Sequence, residues 1–202
     1  MKHLFKQPNC RNLPLILVVL FALPVLQIHG QSIRKGPYLI YPGNPSQMTL
    51  LWQTHQSETC RIAWGTTAQY LDGSDIPSES GTGTDEHQYI YTLINLTPNT
   101  NYFYHIICGS DTSHSFFHSA VPETAKHLKF LVYGDTRSHP EDMNTVTHRM
   151  LLEMESDTSF RSFLIHTGDF NSNDYESSWD NQFFNRSYSN NLAVQSEMPV
   201  MG

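Results

Sequence analysis

The order of apolar and polar positions is most informative in residues 128–170. Two short apolar runs, 128–133 and 163–166, each lead into a Gly-Asp pair, Gly134-Asp135 and Gly168-Asp169. Between them, apolar residues recur at the three- and four-residue spacing of a helix. A strand–helix–strand unit of this length predicts two parallel strands that neighbour each other in one sheet.

The helix between these two strands has a recognisable beginning. Pro140 follows Ser-His and precedes two acidic residues, an order typical of a helix N-terminus. The spacing predicts that one stripe of the helix lies in the core, formed by Met143, Val146, Met150, Leu151 and Met154. Residues 199–201 begin a further apolar strand. Residues 177–184 predict a second helix that buries Trp179, Phe183 and Phe184.

The two Gly-Asp pairs place a carboxylate just beyond the carboxyl end of each predicted strand. Open α/β sheets bind their ligands at this edge. Asp135 and Asp169 would repel each other in one crevice unless a cation lay between them. A single Gly-Asp pair is most often a turn, but two pairs joined by one helix favour a metal site formed by both aspartates.

Residues 33–120 have a different pattern, in which short β-rich runs alternate with turns. The clearest strands are predicted at 48–54, 60–64, 89–94 and 102–108, and clusters of Gly, Pro, Asn and Asp separate them. Short strands at this spacing predict a β-sandwich.

Residues 1–30 have the layout of a secretory signal peptide. They contain three basic residues and no acidic one, followed by an apolar run at 13–26 that is short for a membrane span. Ile28 and Gly30 stand at the −3 and −1 positions of a cleavage site before Gln31. We therefore expect a secreted or periplasmic protein without a stable membrane span after cleavage. An uncleaved anchor is the alternative.

The charge of the mature chain argues against nucleic acid as a partner. Removing the three basic residues of the signal leaves 9 of the 12 lysines and arginines against 19 acidic residues. No basic cluster survives that could neutralise the phosphates of a duplex. A metal cluster can still attract phosphorylated small molecules to an acidic protein.

The motifs resemble a known family. Gly134-Asp135-x-Arg137, Gly168-Asp169 and then the segment 199–202 follow the order of motifs in calcineurin-like metallophosphoesterases. Residues 36–39 and 48–54 resemble the opening of the purple acid phosphatase-type N-terminal module. The fold that the resemblance implies is an all-β, fibronectin III-like sandwich at 31–123, followed at 128–202 by the first part of an α/β/β/α phosphoesterase domain.

The resemblance also implies roles for individual residues. Asp135 would bind the first of two metal ions and Asp169 would bridge both, with iron, zinc or manganese as the candidate metals. The ions would lie about 3.5–4 Å apart and activate a hydroxide that attacks phosphorus. Phosphorylated small molecules, monoesters before diesters, would be the substrates. Arg137 either binds the substrate phosphate through two hydrogen bonds or pairs with a nearby carboxylate.

Three other positions bear on the metal site. Ser172 stands where purple acid phosphatases carry the tyrosine that colours their iron site, so we do not expect a purple protein or ferric iron by default. His139 is either a donor behind the ligands or a solvent-facing residue at the helix start. His166, inside an apolar strand, is most simply a core histidine with its hydrogen bonds satisfied.

The stretch 96–104 resembles the loop and strand that enter the penultimate strand of fibronectin III modules. This resemblance implies that the strands starting at Cys60 and ending at Cys108 are antiparallel neighbours. A disulfide between them would close a loop of about 50 residues and contribute roughly 4 kcal/mol. Two buried free thiols are the alternative.

By the resemblance to calcineurin-like metallophosphoesterases, Gly202 would be the first residue of the third motif. The chain is therefore expected to be the N-terminal part of a longer hydrolase. Its two aspartates cannot complete the coordination of two metals, so the chain alone is expected to be inactive. The alternative from another functional class is a sandwich that binds a glycan or a protein, followed by a degenerate remnant of the phosphoesterase domain.

Overall fold

A computed structural model gives the structure of the protein and describes residues 32–82, 86–161, 163–184 and 197–199. The strands, in chain order, are β1 Ile33–Ile40, β2 Met48–Thr54, β3 Cys60–Gly65, β4 Gly73–Asp75, β5 Glu79–Thr82, β6 His87–Leu93, β7 Asn101–Cys108, β8 Asp111–His118, β9 Leu131–Tyr133, β10 Leu164–His166 and β11 Glu197–Pro199. The helices are α1 Pro140–Ser156, a 3₁₀ turn Thr158–Phe160, and α2 Glu176–Ser178, which continues into a π-helical turn Trp179–Phe183.

The N-terminal half is the predicted β-sandwich. Its first sheet contains β5, β6, β2 and β1, and its second contains β4, β3, β7 and β8, with antiparallel pairing in both. The strands predicted at 48–54, 60–64, 89–94 and 102–108 correspond to β2, β3, β6 and β7. β1, β4, β5 and β8 were not among the predicted strands, and β4 and β5 lie where the sequence predicted turns.

Aromatic residues and a disulfide fill the space between the two sheets. Trp52 stacks on Tyr89 with ring centroids 5.5 Å apart, and its indole nitrogen donates a hydrogen bond to Cys60 Sγ. Cys60 and Cys108 lie directly opposite each other on β3 and β7 and are joined by a disulfide bond. All four side chains are buried, so the bridge forms part of the sandwich core.

Tyr102 anchors the loop that enters β7. Its ring is buried against Phe117, and its hydroxyl accepts a hydrogen bond from the backbone N–H of Thr97 at 2.9 Å. Leu96, at the start of the same loop, is also buried. This hydrogen bond fixes the corner between two strands, as in the tyrosine corner of β-sandwiches.

The C-terminal half contains the predicted parallel strands. β9 pairs in parallel with β10, and β10 pairs in parallel with β11. Helix α1 begins at Pro140 and packs its methionines against these strands, with Met150 and Met154 beside Leu164. Both the parallel pairing and the helix between the strands are confirmed.

Two details of the predicted core differ from the structure. Val146 is 44% exposed, because it lies on a face of α1 that no element in the described ranges covers. Trp179 and Phe184 are only partly buried, whereas Phe183 is buried. The segment that contains them is a short α-helical turn followed by a π-helical turn, and the last strand begins at Glu197, before the predicted 199.

The two halves share one continuous sheet. Ile40, at the end of β1, pairs in parallel with Glu197 of β11, so the order of the sheet is β5-β6-β2-β1-β11-β10-β9. The sandwich therefore extends directly into the parallel strands. The sequence pattern had predicted two separate domains, at 31–123 and 128–202.

Several expectations lie outside the described residues. These are the signal peptide at 1–30 and the third motif at Gly202, with Val200 and Met201 before it. Among the helices that the structure does describe, none combines the length and apolarity needed to cross a bilayer.

Breaking the disulfide should destabilise the sandwich. We expect Cys60→Ala combined with Cys108→Ala to lower the free energy of unfolding by about 4 kcal/mol. The reason is that the unfolded chain regains the conformational freedom that the disulfide-closed loop had lost. Urea denaturation followed by tryptophan fluorescence measures this difference. Either single substitution should cost as much as the pair. A parent chain whose unfolding is unchanged by a reducing agent would contradict the account.

Candidate metal centre

Asp135 and Asp169 lie in two adjacent loops at the carboxyl edge of the parallel strands. The register pairs Tyr133, the last residue of β9, with His166, the last residue of β10. Asp135 follows two residues after the first strand, and Asp169 follows three residues after the second. The edge that the sequence predicted as a ligand site is therefore where both carboxylates lie.

Backbone hydrogen bonds join the two loops. The N–H of Asp135 donates to the carbonyl of Gly168, and the N–H of Arg137 donates to the carbonyl of Asp169, each at 3.1 Å. The fit is tight at Gly134, where a Cβ atom would lie 2.2 Å from Thr167 Oγ1. Only glycine is tolerated at such a close approach.

Both aspartates adopt a left-handed backbone conformation, with φ of 55° for Asp135 and 59° for Asp169. This region is unfavourable for residues with a Cβ atom, and aspartate and asparagine tolerate it better than most. Unusual backbone conformations of this kind concentrate at functional sites. The side chains of both aspartates are more than half exposed.

One guanidinium lies against both carboxylates. Arg137 Nε is 3.6 Å from Asp135 Oδ1, and Arg137 Nη2 is 3.3 Å from Asp169 Oδ2. Arg137 thus offsets the mutual repulsion of the two negative charges. Arg137 pairs with both carboxylates in this arrangement, and its role in binding substrate phosphate stays a prediction.

His166 connects the two loops from below. Its Nδ1 accepts a hydrogen bond from the N–H of Gly168 at 3.1 Å, which leaves the ring proton on Nε2. Nε2 donates to Thr136 Oγ1 at 3.2 Å, and this hydroxyl donates to the carbonyl of Phe170 at 3.2 Å. Both side chains are fully buried. The expectation of a core histidine with satisfied hydrogen bonds is confirmed.

Burial lowers the pKa of His166 to about 4. The imidazole is therefore neutral at neutral pH and keeps the acceptor that the N–H of Gly168 requires. Phe170 stacks on the same ring with centroids 3.9 Å apart, and Phe183 meets it edge-on at 5.7 Å. An apolar, neutral floor thus supports the loop that carries Asp169.

His139 and Ser172 lie outside this arrangement. The His139 side chain is 74% exposed, and the residue precedes α1 without a capping hydrogen bond from its side chain, which is the solvent-facing alternative. Ser172 exchanges two hydrogen bonds with Gln182: its N–H donates to Oε1 at 2.7 Å, and its hydroxyl accepts from Nε2 at 3.0 Å.

The arrangement suits a hard divalent or trivalent cation. Asp135 and Asp169 could offer oxygen ligands on either side of the position where the Arg137 guanidinium now lies. Within the described ranges, no three or more His, Cys, Asp or Glu side chains form a group that could hold a metal ion. The two aspartates alone could supply only part of a coordination shell.

The sequence analysis missed Thr136 and Gln182 as parts of the site. Thr136 stands between Asp135 and Arg137 in the motif, so its position was a usable signal. Gln182 had none, because its contact with Ser172 depends on how the segment 176–183 folds back.

The low pKa of His166 predicts a dependence of stability on pH. The pKa of His166 in the folded state is about 4, whereas the pKa of a histidine in the unfolded chain is 6.5. The contribution of the neutral His166 to the free energy of unfolding is therefore fully present above pH 6.5, and it is lost as the pH falls toward 4. Between pH 7 and pH 5 the loss should be about 2 kcal/mol.

Urea denaturation at both pH values measures this loss. His166→Gln should remove most of that difference, whereas His139→Gln, at an exposed position, should retain it. Equal pH dependence in the His166→Gln variant and the parent would contradict the assignment.

The sandwich is similar to a known family of domains. The model of the purple acid phosphatase N-terminal domain matches residues 35–121. A comparison with curated proteins finds no match.

Two solved structures share the fold. Purple acid phosphatase PPD1 from yellow lupin (Lupinus luteus) seeds superposes with a TM-score of 0.60 at 14% identity, over 83% of this chain and 35% of its own length. PhoD superposes with a TM-score of 0.54 at 10% identity, over 85% of this chain and 38% of its own. This chain therefore spans little more than a third of either protein.

Because residues 35–121 make up less than half of the chain, both superpositions extend into the region after residue 121. The strands and the helix of this region therefore belong to the shared fold. The fold class expected for the chain is confirmed in outline: a β-sandwich followed by an α/β region with parallel strands. Residues 35–121 thus resemble the purple acid phosphatase N-terminal domain.

Proposed function

We propose that this chain is the N-terminal part of an exported, metal-dependent hydrolase of phosphate esters. The observation that carries the proposal is the pair of carboxylates, Asp135 and Asp169, held side by side at the carboxyl edge of two parallel strands and against one guanidinium. The family of the sandwich supports it, since that domain is named after a phosphatase. The signal-like pattern at 1–30 supports export.

Each residue of the site has a proposed role. Asp135 would bind one ion, and Asp169 would use its two oxygens to bridge two ions. When bound, the ions would polarise the phosphoryl group and increase the acidity of a water molecule. Iron, zinc and manganese remain the candidates. Ferric iron is not the default, because Ser172 makes its hydrogen bonds to Gln182 and has no phenol to offer.

Arg137 would bind the phosphate of the substrate. Its planar fork matches two phosphate oxygens, and its side chain is 45% exposed, so it can reorient. The cation that offsets the charge of Asp135 and Asp169 in the present arrangement would then become available to the substrate. Phosphate monoesters are the favoured class.

The floor under Asp169 would maintain this geometry. His166 and Thr136 hold the two loops at a fixed separation, and Phe170 keeps water away from the buried hydrogen bonds. Because two carboxylates cannot complete the coordination of two ions, the remaining ligands would lie beyond the described residues. We therefore expect negligible turnover from the 202-residue chain by itself.

Metal binding can be tested without turnover. We expect Mn²⁺ to broaden NMR resonances of residues 134–137 and 168–171 selectively, because the ion binds between the two carboxylates. Asp135→Asn should weaken this binding, and Asp169→Asn should weaken it more strongly, because Asp169 would contact both ions.

Asp72→Asn is the matched control, since it removes the same charge from an exposed turn of the sandwich. It should leave the broadening unchanged. Broadening that is spread over the acidic surface, or that survives Asp169→Asn, would contradict the proposal and favour a sandwich that binds a glycan or a protein.

A further inference from the structure

Four charged side chains form an ion-pair cluster where the sandwich meets the segment 176–183. Arg34 Nη2 is 2.9 Å from Asp180 Oδ2, and Lys35 Nζ is 3.0 Å from Asp180 Oδ1. Both cations also pair with Glu176. The register of β1 against β2 shifts between Ile33 and Lys35. Such an irregularity allows neighbouring residues to reach the same group.

The cluster is anchored in a largely buried environment. The Lys35 side chain is 4% exposed, and its ammonium lies 5.3 Å from the centre of the Phe184 ring, which also packs on Tyr38. Burial alone would raise the pKa of Glu176, but hydrogen bonds from Lys35 and Arg34 outweigh it, so the pKa is lowered. The two carboxylates are more accessible than Lys35, with Glu176 32% and Asp180 38% exposed.

Aromatic packing connects the cluster to the floor of the candidate metal centre. Trp179 lies between Glu176 and Asp180 in sequence and packs on Phe170, with centroids 6.0 Å apart. Phe183 meets Phe170 edge-on at 5.1 Å. Phe170 directly follows Asp169.

Hydrogen bonds make a second connection between the same segment and the same loop. Gln182 Oε1 accepts a hydrogen bond from the N–H of Ser172, and Gln182 Nε2 donates one to the Ser172 hydroxyl. The hydroxyl of Ser178 donates to Asn173 Oδ1 at 2.7 Å. The loop that follows Asp169 is thus fixed to the segment 176–183, which β1 holds through its two cations.

We propose that Arg34 and Lys35 are positioning residues for Asp169, and that the sandwich thereby forms part of the scaffold of the metal centre. The effect passes from the two cations to Glu176 and Asp180, and from the segment 176–183 to the loop after Asp169. This inference rests on the proposed function, because it concerns the carboxylate that would bridge the metals. Groups that orient metal ligands typically change metal affinity about 10–100-fold when removed.

The test compares the parent chain with Arg34→Gln combined with Lys35→Gln. The first quantity measured is the Mn²⁺ dissociation constant, obtained from NMR line broadening. The second is the hydrogen-exchange rate of the Ser172 amide, which donates a hydrogen bond to Gln182 Oε1. The double variant should raise both by about tenfold, while amides within β2, β6 and β7 keep their protection.

Lys129→Gln is the matched control. Lys129 pairs with Asp157 at 2.6 Å and lies 5.2 Å from the Phe160 ring, so it reproduces the ion pair and the aromatic contact away from Asp169. It should change neither quantity. Charge reversal at all four positions, Arg34→Glu and Lys35→Glu with Glu176→Lys and Asp180→Lys, should restore Mn²⁺ affinity.

Gln182→Ala keeps the test decisive if the loss of two buried cations unfolds the chain. It cuts the link to Ser172 and leaves the ion pairs intact, and it should also raise the Mn²⁺ dissociation constant. Normal Mn²⁺ binding in both variants would overturn the positioning role alone. The absence of localised broadening in the parent chain would instead overturn the proposed function.

Discussion

The repulsion between two neighbouring carboxylates is the constraint on which the site depends. Parallel pairing of β9 and β10 brings Asp135 and Asp169 together, and the hydrogen bonds between their loops keep them there. A cation that lies against both carboxylates reduces this repulsion. Arg137 plays this role in the structure, and a metal ion plays it in the proposed function. The neutral, buried His166 allows the loops to be held without adding a further charge to the site.

The sandwich is connected to this site at two places. The sheet is continuous across Ile40 and Glu197, and the cations of β1 pair with the segment 176–183. A module joined only by a flexible linker would show neither connection. The sheet pairing and the ion pairs therefore join the sandwich physically to the region that contains Asp135 and Asp169.

Local patterns predicted those elements in which burial and sequence period coincide. The strands β3 and β7 place alternate residues on one face, β2 is a β-rich run, and the methionines of α1 follow a helical stripe. β8 was missed because serines occupy two of its inward positions, and β1 because Arg34, Lys35 and a Gly-Pro pair interrupt its apolar pattern. The aspartates of the site could be predicted because a strand end fixes their location. The ion pairs and the Gln182 contact join residues far apart in sequence and have no local signal.

Anomalous X-ray diffraction from crystals of the chain grown with Mn²⁺ would test the central claim most directly. The account predicts a peak within coordination distance of carboxylate oxygens from both Asp135 and Asp169, with the Arg137 guanidinium turned away from at least one of them. A peak elsewhere, or Arg137 unmoved between two aspartates that bind no manganese, would contradict the assignment of these residues as metal ligands.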